Sequence, residues 1–138
     1  MKQVFGMSQN GNLREAANAL TNPQFIMLLS NQTQFEQHVR ELEQLFPGVP
    51  SIGCIGMSYD TKVVENGVGL IGFSDGVQAT ANVLEQVSTM PVKYISRLKD
   101  DLKKIDANAQ NTVCIDFCAG NDACVLTTLN TELKRRGV

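Results

Sequence analysis

The run Phe25-Ile26-Met27-Leu28-Leu29 constrains this chain more than any other feature of its sequence. Asn22-Pro23 precedes it and Ser30-Asn31-Gln32 follows it, so it has the length of a strand and not of a helix. A strand without polar alternation must be covered on both faces, which calls for a sheet with helices packed against it. The flanking segments supply those helices. Leu13, Ala16, Ala17 and Leu20 recur at helical spacing behind Asn12, which predicts a capped helix over 13–20. A second helix is predicted over 33–46, with Phe35, Val39, Leu42, Leu45 and Phe46 inward and Pro47-Gly48 as its stop.

The rest of the chain continues the alternation. Strands are predicted over 4–7, 51–57 and 67–73, the second of them carrying Gly53 and Gly56. Ser58-Tyr59-Asp60-Thr61 reads as a polar loop. Ser74-Asp75-Gly76 reads as a hairpin turn into a strand over 77–83, where Val77, Ala79, Ala81 and Val83 alternate with Gln78, Thr80 and Asn82. Pro91 opens a helix reaching Ile105, with Ile95, Leu98, Leu102 and Ile105 inward. A last strand over 112–118 leads into a helix ending at Arg136, with Leu126, Leu129 and Leu133 inward. The order is β-α-β-α-β-β-β-α-β-α, an α/β fold in one domain over 1–138. Its mixed sheet has about six strands and a central β-hairpin. The segments 25–29 and 113–117 are the expected central strands.

Charge and cysteine content exclude several function classes. The 12 basic and 14 acidic side chains leave a net charge of −2, so no global basic surface awaits nucleic acid. No apolar stretch spans a bilayer, and the N-terminus lacks the apolar core of a signal peptide, so the cytoplasm is the expected location. Cys54, Cys114, Cys118 and Cys124 form no C-x-x-C pair, and the single histidine, His38, is distant in sequence. That spacing argues against a structural zinc site. Cys54 and Cys114 suit small buried apolar positions. Gly-rich phosphate loops, zinc-protease helices and nucleophile elbows are all missing from the sequence.

Three places combine polar chemistry with a strand end. Asp116 shares a strand face with Cys114 and Cys118, where a carboxylate needs a structural partner, a ligand amine or water. Cys118-Ala-Gly120-Asn121-Asp122 turns into a helix, and Asn121 or Asp122 either caps that helix or leaves its N–H groups to an anion. Position 124 is Cys and not Arg, which removes the C-x5-R phosphatase pattern but leaves Cys118 and Cys124 as a thiol pair. Ser58, Tyr59 and Asp60 follow the glycines of the third strand, either as a solvated loop or as a ring to stack on a ligand and a carboxylate to hold its amine. His38, among Gln37, Arg40 and Glu41, is expected on a solvated helix face without a base role, and Lys93, Lys99, Lys103 and Lys104 with Asp100, Asp101 and Asp106 on another. Lys134-Arg135-Arg136-Gly137 ends a helix and Val138 starts a further strand. The chain therefore reads as the N-terminal fragment of a longer protein, with a sheet edge that pairs with a second copy.

Several stretches, in order, resemble one family. They are Ala16-Ala-Asn-Ala-Leu20 before Pro23, the run from Phe25 to Leu29, Phe46-Pro-Gly-Val-Pro-Ser-Ile-Gly-Cys54, the region from Gly67 to Val83, and Leu129-Asn-Thr-Glu-Leu-Lys-Arg-Arg-Gly137. Together they resemble the N-terminal part of the FIST sensory domain of intracellular signal-transduction proteins. The resemblance implies a module that senses a small ligand such as an amino acid; a chemotaxis-like setting is expected, and the missing motifs and cysteine spacing lead us to expect no catalysis, cofactor or metal. It also implies a C-terminal remainder and an output domain as partners. The ligand residues expected are Asn31, Cys54, Ser58, Tyr59, Asp60, Asp116, Cys118, Gly120 and Asn121. Ligands of open α/β sheets gather beyond the carboxyl ends of parallel strands, so at least two of the groups 30–31, 58–60 and 118–122 should converge. The competing reading is a redox switch or thiol enzyme built on Cys118 and Cys124.

Overall fold

The computed structural model describes residues 1–56, 58–59, 62–84, 91–117 and 123–136, with the backbone alone at 58–59, 62–63, 91–95, 123–128 and 136. The chain divides into two compact units, Met1–Ala79 and Thr80–Val138.

The first unit holds a four-stranded mixed sheet in the order β1-β6-β2-β3. Its strands are β1 (Lys2–Ser8), β2 (Phe25–Ser30), β3 (Ser51–Ile55) and β6 (Val68–Ser74), with β4 (Ser58–Tyr59) and β5 (Lys62–Val63) as a separate antiparallel pair. β6 runs antiparallel to both β1 and β2, while β2 and β3 are parallel across the crossover helix α2 (Phe35–Leu45). Helix α1 (Leu13–Ala17) connects β1 to β2. Its N-cap is Asn12, whose side chain accepts from the Glu15 N–H at 3.3 Å.

One face of this sheet is the core. Ile26 and Leu28 of β2 and Val68 and Leu70 of β6 pack with Leu13, Ala16, Ala17 and Leu20 and with Leu42 of α2, all buried. The alternate residues Phe25, Met27 and Leu29 are half-buried, so the apolar run is sealed on one face only. Phe25 and Phe73, partners in register, stack there with ring centroids 5.7 Å apart.

The second unit contains α3 (Pro91–Lys104), which begins at the proline, and α4 (Ala123–Arg136), packed together. Leu102, Asp101 and Glu132 are buried in it. Asp101 accepts from Asn82 Nδ2 at 2.7 Å and from Lys104 Nζ at 2.8 Å. Burial works against ionisation of Asp101, but the bonds from Lys104 and Asn82, the Lys104 charge and a bond from Thr80 outweigh it, so its carboxyl is held below the usual range. Glu132 lies 3.6 Å from Lys99 Nζ and 3.9 Å from Arg135.

Several expectations are corrected. The main sheet has four strands, not about six. Asp75 and Gly76 do adopt the positive φ of a tight turn, 60° and 83°, but 77–83 is not a strand. β6 already has β1 on one side and β2 on the other, so a hairpin partner has no free edge, and the N–H groups of Gly76 and Val77 donate to Gln24 Oε1 instead. Residues 112–117 are not a strand either, and Val113 is 83% exposed. The central positions belong to β6 and β2, and β2 is flanked by β6 and β3. The polar loop after β3 includes the β4–β5 ladder, with Ser58 opposite Val63 and Tyr59 opposite Lys62. Helix α1 stops at Ala17, though Leu20 still reaches the core. Val39 is 44% exposed and His38 is buried in its place, Cys114 is exposed, and Asp101 is not on a solvated face.

Candidate functional site

The carboxyl ends of the parallel strands β2 and β3 lie side by side. The Gly56 N–H, just beyond β3, donates to the Ser30 carbonyl at the end of β2 at 2.9 Å. Asn31 and the backbone of Ser58–Tyr59 thus leave the sheet from one end.

Asn31 is buried and organises this end. Its Oδ1 accepts from the Gln34 N–H at 2.9 Å, one turn before α2 is established. Its Nδ2 donates to Gln34 Oε1 at 3.0 Å and to the Gly67 carbonyl at 3.3 Å, while its backbone N–H reaches the same carbonyl at 3.1 Å. One amide therefore ties together the end of β2, the start of α2 and the turn before β6. Gly11, with φ 72°, lies against Gln34 Oε1 from the other side, where a Cβ would collide with it.

Beneath this clamp lies a buried hydroxyl–imidazole pair. Ser30 Oγ is 2.7 Å from His38 Nδ1, and His38 Nε2 is 2.9 Å from the Gly11 carbonyl oxygen. Ser30 Oγ is also 3.0 Å from the Asn31 carbonyl oxygen. A carbonyl only accepts, so Nε2 carries a proton. The pair has the spacing used in nucleophilic catalysis, but both side chains are 0% exposed, so no substrate reaches the hydroxyl. Its work is to fasten the turn after β1 and the end of β2 to α2. The buried place of His38 differs from the solvated face expected for it, yet the sequence carries a signal for it. Phe35, His38, Leu42 and Leu45 follow each other at steps of three, four and three, so the inward stripe of α2 runs through His38 and not Val39.

The remaining candidates are distributed differently. Cys54 is half-buried and pairs with Leu29, on the sheet face opposite Ser30. Asp116 is exposed, in the second unit. It interacts electrostatically with Cys114, whose thiol is pushed above its ordinary range first by desolvation of the sulfur, although the residue is exposed overall, and then by the Asp116 charge. Asp60, Cys118, Gly120 and Asn121 lie outside the described residues, and Cys124 falls in α4, where only the backbone is described.

A groove of about 570 Å³ opens at the other end of the sheet, lined by Leu20, Thr21, Asn22, Pro23, Leu45, Phe46, Pro47 and Val49. None of these side chains carries a charge, so it offers no ion-pair partner to a charged ligand. Among the described residues, no group of three or more His, Cys, Asp or Glu is placed to hold a metal ion, and no helix is long and apolar enough to cross a membrane.

A family model, the FIST N domain, matches residues 24–138. No curated protein and no solved structure matches the chain.

Proposed function

The chain belongs to the FIST N domain family, a sensory domain of signal transduction, and from that premise we propose that it is a non-catalytic module sensing an amino acid or a related small carboxylate. The ligand lies beyond the carboxyl ends of β2 and β3, where parallel strands of open sheets leave room for one. The observation that carries this reading is the bond from the Gly56 N–H to the Ser30 carbonyl, which joins those two ends. Asn31 shapes the floor of the site, Ser58 and Tyr59 contribute a hydroxyl and a stacking ring, and Asp60 holds the ligand amine. Cys54, one position in from the end of β3, lies beside the site. Asp116, Cys118, Gly120 and Asn121 are proposed as further ligand residues on the family resemblance alone. Binding is relayed to the C-terminal remainder and the output domain of a bacterial-type cytoplasmic signalling protein.

The test is a thermal-shift screen of the twenty amino acids and small dicarboxylates, followed by calorimetry on any compound that shifts the transition. A bound ligand raises Tm in proportion to the logarithm of its concentration. Asp60→Asn should abolish the shift for amines. If no compound shifts the full-length protein, or if Asp60→Asn binds as well as wild type, the assigned site is wrong.

A further inference from the structure

The three hydrogen bonds around Ser30 and His38 cannot all be made at once when the imidazole is neutral. The Gly11 carbonyl requires a proton on Nε2, so Nδ1 of the neutral ring is an acceptor. Ser30 then holds the single proton available to two acceptors, Nδ1 at 2.7 Å and the Asn31 carbonyl oxygen at 3.0 Å. If Nδ1 is protonated, Nδ1–H donates to Ser30 Oγ, and the freed hydroxyl proton turns to the Asn31 carbonyl. Every donor and acceptor in the chain is then used, with no heavy atom moved.

We propose that the Gly11–His38–Ser30–Asn31 chain is a proton-operated latch, in which protonation of His38 turns the Ser30 hydroxyl from the ring to the Asn31 carbonyl at the end of β2. The proton comes from solvent and binds the Nδ1 lone pair. No covalent bond breaks, and the Ser30 O–H only rotates. Because ring and hydroxyl are both buried, the proton enters during local opening. The charges on the surrounding elements are few. Arg14 and Glu15 lie on α1, Arg14 paired with Glu41 of α2 at 3.0 Å. Glu36 and Arg40 pair on the exposed side of α2, which also carries Glu43, and Glu65 lies exposed in the turn before Gly67. β2, β6 and the turn at 9–12 carry no ionisable side chain; β1 has only Lys2 at its far end, and β3 only Cys54 on the opposite face. The latch stands on the geometry of these four residues and does not depend on the ligand reading.

The only histidine of the chain gives the test a single unambiguous probe. Long-range proton–nitrogen NMR of the ring and the carbonyl carbon shift of Asn31 are followed on the full chain from about pH 8 to about pH 5, the range in which histidines titrate. The expected result is the Nε2–H tautomer at high pH and one common midpoint for the ring and the Asn31 carbonyl. In Ser30→Ala the Asn31 carbonyl shift no longer follows the state of the ring. Ser30→Cys, closer in size and a weaker donor, reduces the amplitude at the carbonyl and keeps the midpoint common. The latch is refuted by an Nδ1–H tautomer at high pH, by a ring that stays neutral across the range in the folded chain, or by a carbonyl response unchanged in Ser30→Ala.

Discussion

The backbone carbonyl of Ala16 in α1 rests directly on Gly6 of β1, so closely that a Cβ at position 6 would overlap it. A backbone oxygen in a helix cannot swing aside as a side chain can, and the whole helix must lift off the strand to admit a methyl group. Ala16 is itself fully buried, so lifting α1 also opens the core. Gly6→Ala should therefore destabilise the chain by about 3 kcal/mol. Gly48 is the control. Nothing lies within 4 Å of a Cβ built there, and only its φ of 73° opposes a side chain, so Gly48→Ala should cost about 1 kcal/mol. Urea titrations of the two variants rank the effects. Equal losses would mean that α1 does not press on β1.

The Ser30–His38 contact should appear as an energetic coupling. Ser30→Ala leaves Nδ1 of a buried ring without its partner, a loss of about 1–3 kcal/mol. His38→Leu strands the Gly11 carbonyl, leaves the Ser30 hydroxyl only the Asn31 carbonyl and empties a buried ring-sized site, so it should cost more. Once one partner is gone, removing the other has less to break. The double variant should thus fall short of the sum of the singles by about 1 kcal/mol or more. Strict additivity in a urea-based cycle would show that the two side chains are not bonded in solution.

What could be read from the sequence follows the range of the interactions involved. Local signals held. Asn12 caps α1, Pro91 opens α3, and the run ending at Leu29 is an inner strand. Strand pairing is decided far along the chain, and there the pattern misled. The turn at Asp75-Gly76 is real, but β1 and β2 had already taken both edges of β6, which no local pattern around residue 75 reveals. Residues 113–117 alternate as a strand would, yet Ile115 and Phe117 are exposed, because composition says what a segment could pair with and not which edge is open. At the candidate site, Asn31 was legible as the polar residue ending an apolar run. The charged sequence neighbours of His38 suggest a wet face, whereas the helical stripe shared with Phe35 and Leu42 places it inside.

Asp101 gives the second unit a dependence on acid. Its carboxyl is held below its ordinary value of 3.8 once the hydrogen bonds and the Lys104 charge have overcome burial. A carboxyl with a depressed folded pKa contributes stability that is complete above the unfolded value and is lost as pH falls through the folded one. Wild type and Asp101→Asn should therefore differ by a constant amount well above pH 3.8 and converge below it. Urea midpoints of both proteins, measured in steps of pH, trace that difference. A gap that stays constant on acidification would mean that Asp101 is not ionised against Lys104 and Asn82 in the folded chain.

Asn31 offers a sharper test of the clamp, because its two side-chain ends do opposite work. Oδ1 accepts from the Gln34 N–H, and Nδ2 donates to Gln34 Oε1 and to the Gly67 carbonyl. Asn31→Ala removes all three bonds at a buried site and should destabilise by about 2–3 kcal/mol. Asn31→Asp keeps the acceptor but turns the donor end into a carboxylate facing two other acceptors. Ionised, it should be worse than alanine. The same repulsion raises the folded pKa of the introduced carboxyl, since its protonated form can donate one bond again. Its penalty should therefore shrink as pH falls, the reverse of the trend at Asp101. Stability of Asn31→Asp measured near neutrality and in mild acid decides the matter. If the variant loses ground on acidification relative to wild type, Nδ2 is not the donor that closes the end of β2.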